Sequence, residues 1–236
     1  MANKIFIDHI LFMGRTYEEI LQVFALEEED IRDKRVLDCN SGPDAFVGEA
    51  NRRGFTVTGC DPLYTKPVEE ILDIGRRDTE HFLERAHGNE ASAGKLDVEA
   101  FAQDKLKAMD QFAKDFAAGH HIAGALPELP FEDDAFDLAL SGHFLFLATS
   151  PSLGGMVNTE TFDLAFHRRA VRDLLRVSRE VRLFPCCRIG EPSVLHPYAA
   201  RLIGELASDG HQIGLLENVY DQGSFTDHHV LTIKRA

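Results

Sequence analysis

The run Val36-Leu37-Asp38-Cys39-Asn40-Ser41-Gly42-Pro43-Asp44 reads as a short apolar strand that enters a tight turn and leaves it as a helix. The helix is predicted from Asp44 to about Arg53, with Ala45, Phe46, Val47 and Ala50 at helical spacing. Gly54 stands where a left-handed cap belongs. Phe55-Thr56-Val57-Thr58-Gly59-Cys60 follows as a β-branched strand that stops at Asp61-Pro62. Strand, helix and strand in this order make a parallel, right-handed crossover.

The same alternation is predicted further along. Strands are expected at His121 to Gly124, Phe136 to Ser141 and Val181 to Phe184, with a helix from Glu160 to Ser178 and another beginning at Pro197 and stopped by Gly210. The segments His211 to Val219 and Asp227 to Lys234 read as a terminal hairpin across Asp221-Gln222-Gly223-Ser224. These elements predict a doubly wound, mostly parallel seven-stranded α/β sheet with an antiparallel C-terminal strand. No internal repeat or linker divides the chain, so residues 1–236 are expected to form one domain. Residues 1–33 would be a helical extension, with a short amphipathic helix at Tyr17 to Ala25 and a solvated acidic helix end at Glu27 to Asp30. Between the second and third strands lie two helical stretches where a crossover needs one. Val68, Ile71, Leu72, Phe82, Leu83 and Ala86 share a face of the first, and Ala102, Leu106, Met109, Ala113 and Phe116 a face of the second. Residues 63–118 are therefore read as a helical insertion, either a cover over a binding site or an extension of the packing.

Composition narrows the partners. Of 236 residues, 39 are Asp or Glu and 25 Lys or Arg, a formal net charge of −14 that repels phosphate backbones. Nucleic acid is not expected as a ligand. No apolar run approaches the roughly 20 residues of a spanning helix, and Met1 to Phe12 carries Lys4, Asp8 and His9, so neither a membrane nor a signal peptide is expected. Cys39, Cys60, Cys186 and Cys187 close short apolar runs without metal-ligand spacing and read as reduced core thiols of a cytoplasmic protein. His120/His121 and His228/His229 cannot turn both rings to one face of a strand, and no metal is expected.

In an open α/β sheet the ligand lies beyond the carboxyl ends of the strands, at the switch in strand order. The turn Asp38 to Asp44 is the place to look, because a tight turn before a helix aims free N–H groups at a ligand. Asp61 ends the second strand, where an acid can accept from both ribose hydroxyls of a nucleoside or can simply cap the turn at Pro62. A nicotinamide dinucleotide fold uses a similar acid, but the G-x-G-x-x-G fingerprint is absent.

The succession V-L-D-C-N-S-G-P-D, then G-C-D-P, then L-P-F-E-D-D-A-F-D-L-A-L-S, with R-V-S-R-E-V-R-L-F-P before the terminal hairpin, resembles the successive motifs of class I S-adenosylmethionine-dependent methyltransferases. The resemblance spans residues 34–61 and 119–234. It implies that Asp38, Cys39, Asn40, Ser41, Gly42 and Asp44 hold the methionine part of S-adenosylmethionine, with Asp61 and Pro62 at the ribose. Ala125 and Leu126 would lie beside the adenine, and Ser141, Gly142 and His143 near the reactive methyl. His143 is either a structural histidine or the general base, and Tyr17 is a more remote option. The chain departs from the family at the turn, where Asn40, Gly42 and Asp44 stand in place of three glycines, and at Ala125, where an acid is common. Asp44 would put a negative charge near the cofactor's carboxylate, or stabilise the helix as its N-cap. The expectation is a methyltransferase acting on a small molecule. The alternative is a degenerate domain of the same fold that binds a nucleoside or a protein partner. Nothing in the sequence indicates the acceptor or the oligomeric state.

Overall fold

A computed structural model describes residues 9–87, 97–157, 159–220 and 228–236. Among them, α1 (Tyr17–Val23) and α2 (Glu28–Ile31) precede β1 (Arg35–Cys39), α3 (Phe46–Arg52) and β2 (Thr56–Asp61). The insertion contributes α4 (Val68–His87) and α5 (Val98–Asp115). Then come β3 (His121–Ala123), β4 (Phe136–Gly142), α6 (Leu164–Val177), β5 (Ser178–Phe184), β6 (Cys187–Arg188) and β7 (Glu191–Leu195). The remaining elements are α7 (Pro197–Ser208), β8 (Gln212–Glu217) and β9 (His229–Lys234). The seven-stranded sheet runs β3-β2-β1-β4-β5-β9-β8, parallel from β3 to β5, with β9 antiparallel to both β5 and β8.

The period of two in each strand divides the core into two layers. Leu37, Cys39, Ala139, Val181, Leu183, Leu231 and Ile233 pack with α6 and α7 on one face. Val36, Val57, Leu138, Leu140 and Val230 pack with α1 and α3 on the other. A third cluster of Phe12, Tyr64, Ile71, Leu72, Met109 and Phe112 joins the insertion to the carboxyl end of the sheet. All four cysteines are buried and unpaired by disulfides. None of the described helices is long and apolar enough to cross a membrane.

Several local expectations need correction. α6 starts at Leu164 because the Asp163 side chain caps it by accepting from the Phe166 amide. The acidic run forms a separate short helix, α2, whose Ile31 is fully buried. On α5 the inward stripe is Lys105, Ala108, Met109 and Phe112, and Leu106 is 42% exposed. The pattern misleads because Lys105 is buried with its ammonium on Glu19 of α1, so a charged residue occupies a core position. Asp44 does not cap α3, whose N-cap is Ala45 without a side-chain bond. Its Oδ1 instead accepts from the Arg15 amide at 2.5 Å. The turn proposed at Asp221 to Ser224 lies outside the described residues. The small β6–β7 hairpin had no expectation attached to it.

Candidate functional site

The strand order reverses between β1 and β4, and their carboxyl ends open a cavity of about 400 Å³. Both exits use left-handed backbone. Asn40 after β1 has φ +63°, Gly42 has φ +61°, and His143 after β4 has φ +54°. A left-handed histidine is uncommon, and the His143 amide is held by donation to Phe184 O at 2.7 Å. The Asn40 and Ser41 amides donate to Cys60 O, and Ser141 Oγ donates to Asn40 Oδ1 at 3.3 Å, so the ends of β1, β2 and β4 are tied together.

Asp61 lines the cavity and is 6% exposed. Its Oδ1 accepts from the Leu63 amide at 2.9 Å and its Oδ2 from the Gly42 amide at 3.2 Å. Burial pushes its carboxyl up to about 6, against the lowering by those two amides. The Gly42 carbonyl accepts from the Tyr64 hydroxyl at 2.5 Å, so the peptides on both sides of Gly42 are held. Asp38 sits beneath the turn, accepts from Ser41 Oγ at 2.8 Å, and is likewise pushed to about 6 by burial.

Of the sequence-derived site residues, Asn40, Gly42, Asp61 and Pro62 line the cavity from the first crossover. Ala125, Leu126, Gly142 and His143 line it from the far strands. Asp38, Cys39, Ser41, Asp44 and Ser141 are buried and do not line the cavity. Burial pushes the Cys39 thiol well up and the Cys60 thiol to about 12, so neither is a ready nucleophile. Burial also drives His143 well below its ordinary value, with Arg15 and Lys105 adding to the effect, so its imidazole is neutral at pH 7. His121 packs edge-on against Tyr64 and Phe112 and is pushed down to about 4 by burial, a histidine used for packing.

The wall that sequence reasoning missed is a strap, residues 9–15, crossing the mouth ahead of α1. Asp78 on α4 fastens it, its Oδ2 accepting from the Phe12 amide at 2.8 Å and its Oδ1 lying 3.0 Å from His9 Nε2. Leu63, Ile74 and Asp78 put part of the insertion on the cavity wall, while Ile71, Leu72, Met109 and Phe112 pack it onto the sheet end. At the end of the strap is Arg15, whose Nη1 donates to Met13 O at 3.4 Å and approaches Asp44 to 4.0 Å. Its Nε is buried without a hydrogen-bond partner among the described residues. No periodic pattern marks residues 9–15, and a lone arginine before a helix carries no signal by itself.

No family model matches the chain. It is 28% identical over 208 residues to an uncharacterised protein of Methanocaldococcus jannaschii, covering 81% of this chain and 87% of that one. Among solved structures, it is similar to a SAM-dependent methyltransferase from Methanosarcina mazei (16% identity, 88% of this chain and 96% of that one, TM-score 0.42). It is also similar to one from Aquifex aeolicus (10% identity, 90% and 89%, TM-score 0.42). A third, from Pyrococcus horikoshii, is described as a candidate RNA methyltransferase (11% identity, 93% and 80%, TM-score 0.43). Strand order, parallel registers and the inserted antiparallel β9 together make this a doubly wound, Rossmann-like seven-stranded sheet, the fold class expected from the sequence.

Proposed function

We propose that the chain binds S-adenosylmethionine in the cavity at the ends of β1, β2 and β4 and transfers its methyl group to a small-molecule acceptor. The observation that carries this reading is Asp61, a buried carboxylate that ends β2 and faces the cavity beside the Gly42 turn. A carboxylate in that place accepts from two neighbouring ribose hydroxyls.

The other residues suit the same ligand. Arg15 offers a buried guanidinium with an unused Nε beside Asn40 and Gly42, where the methionine carboxylate would lie. The departure at Asp44 is compensated. Its carboxyl is turned toward Arg15, does not line the cavity and is pushed well up by burial, so the turn presents no bare negative charge to that carboxylate. Ala125 and Leu126 supply an apolar flank for an adenine, leaving its edge to backbone groups.

When bound, S-adenosylmethionine supplies an electrophilic methyl on a sulfonium, which demands alignment more than activation. The chain's own part is to orient and to exclude water. The strap and α4 cover the mouth, and the left-handed residues Asn40 and His143 hold their side chains over the strand ends. A neutral His143 can take a proton only from a donor of moderate acidity. Buried reduced thiols and a net charge of −14 accord with a cytoplasmic enzyme that avoids nucleic-acid acceptors.

The test is calorimetric titration with S-adenosylmethionine, S-adenosylhomocysteine and NAD. Binding of the first two, weakened at least tenfold in Asp61→Ala, supports the reading. Saturating S-adenosylmethionine that gives neither heat nor a thermal shift overturns it and leaves the degenerate-domain alternative.

A further inference from the structure

Past His143 the structure holds a second, smaller chamber of about 60 Å³. Met13, Arg15 and His143, with Ile10 and Leu11, line both spaces, so the two adjoin across one wall. The small chamber's own walls are Phe82 from α4 and Leu147, Ala148, Met156 and Val157 from the β4–α6 connection. Every one of these is apolar.

Three properties bound what can occupy it. A water needs roughly 10–15 Å³ on this measure, so the chamber holds about four to six non-hydrogen atoms. Its apolar walls give no partner to a carboxylate or an ammonium, and burying either without one is heavily disfavoured. Polar groups occur only at the wall shared with the larger cavity, as the Arg15 guanidinium and the His143 imidazole. An amine acceptor would arrive as an ammonium beside that guanidinium and would have no carboxylate to receive its proton. An alcohol would need a strong base, and burial holds His143 well below the ordinary histidine value. A thiol is the weakest hydrogen-bonding partner of the three, is a far stronger acid than an alcohol, and has a polarisable sulfur that suits a wall containing the Phe82 ring.

We infer that this chamber is the acceptor subsite and that the acceptor is a small thiol on a compact apolar body, its sulfur turned toward His143. The inference rests on the methyltransferase reading above. In the transfer, the methyl–sulfonium bond breaks with its electron pair staying on the cofactor's sulfur, and a carbon–sulfur bond forms to the acceptor. The thiol proton is given up to water in the adjoining larger cavity, because the buried His143 is too weak a base to hold it.

The test uses protein saturated with S-adenosylhomocysteine and three probes of one shape: 2-methylpropane-1-thiol, 2-methylpropan-1-ol and 2-methylpropan-1-amine. The thiol is expected to bind at least tenfold more tightly than either analogue by calorimetry. With S-adenosylmethionine it should yield the methyl thioether, detected by mass spectrometry. Ala148→Leu, which fills the small chamber alone, should lower thiol affinity at least tenfold while S-adenosylhomocysteine binds as before. Val157→Phe repeats the test if Ala148→Leu does not fold. Equal binding of the three probes, or thiol binding unchanged in the filled variants, overturns the inference. If S-adenosylhomocysteine binds and the thiol does not, the acceptor assignment alone fails. If S-adenosylhomocysteine does not bind the wild type, the cofactor reading fails first.

Discussion

The Gly42 amide donates to Asp61 Oδ2 at 3.2 Å, so the turn after the first strand is held in shape by the acid that ends the second. The bond separates two roles of Asp61, holding the turn and binding a ligand. Asp61→Asn keeps an oxygen acceptor for the turn but loses the charge, whereas Asp61→Ala loses both. S-adenosylhomocysteine affinity should fall by about 1.5–3 kcal/mol in Asp61→Asn, the range for hydrogen bonds to a charged group, and further in Asp61→Ala. Parallel calorimetric titrations check the order: equal losses would mean that the carboxylate's charge alone matters, and a loss confined to Asp61→Ala that the turn alone does.

Asp38 gives a pH dependence whose sign follows from burial. Its folded value of about 6 lies above the ordinary 3.8, so the folded chain holds a proton that the unfolded chain has released. The cost of the ionised carboxylate grows as pH rises from about 4 to 6 and is complete above that. Asp38→Asn keeps an acceptor for Ser41 and should stabilise the ligand-free protein at pH 7 by on the order of 2–3 kcal/mol. The gain should vanish near pH 4. Urea unfolding at the two pH values measures the difference.

Asp78→Ala removes the acceptor of the Phe12 amide and the partner of His9 together. A buried amide left unmade costs about 1–3 kcal/mol, and here the loss is local to the strap. Hydrogen exchange at Phe12 should speed up by at least tenfold, S-adenosylhomocysteine should bind several-fold more weakly, and the melting temperature should fall only slightly. A variant whose strap stays as protected as the wild type would show that the apolar contacts of Leu11 and Phe12 hold it unaided.

Lys105 and Glu19 form an ion pair with the ammonium fully buried, and the Tyr220 hydroxyl donates to the same carboxylate at 3.3 Å. Removing one member of such a pair strands the other, so Lys105→Met should cost about 3–5 kcal/mol. Lys105→Met combined with Glu19→Gln, which removes the stranded charge but keeps hydrogen-bonding partners for the Tyr220 hydroxyl and the Thr16 amide, should recover most of that loss. Denaturant melts of the two single variants and the double variant close the cycle.

The sheet was legible because its parallel strands are short apolar or β-branched runs stopped by Asn, Gly, Pro or Asp, as in Val36-Leu37-Asp38-Cys39 before Asn40 and Phe136 to Ser141 before Gly142. Asp61, Gly42 and His143 could be placed on the cavity because strand order alone decides which ends converge. The strap could not be, since residues 9–15 form no regular element and their position depends on Asp78, 66 residues beyond Phe12. The face of α5 was misread for a related reason. Apolar periodicity scores a lysine as solvent-facing, and only the fold brings Glu19 to meet it.

The end of α1, the helix that follows the strap, is clasped from far along the chain. Arg182 Nη1 donates to the carbonyls of Phe24 and Ala25, 158 and 157 residues away, and Asn218 Nδ2 donates to Val23 O across 195. Contacts of such separation close late, because the entropy of the intervening chain opposes them until the sheet between is built. During synthesis the turn at Gly42 and the acid at Asp61 can meet early. The helix that carries the strap is secured only after Asn218 has left the ribosome, whereas the strap's own bond to Asp78 is available much earlier.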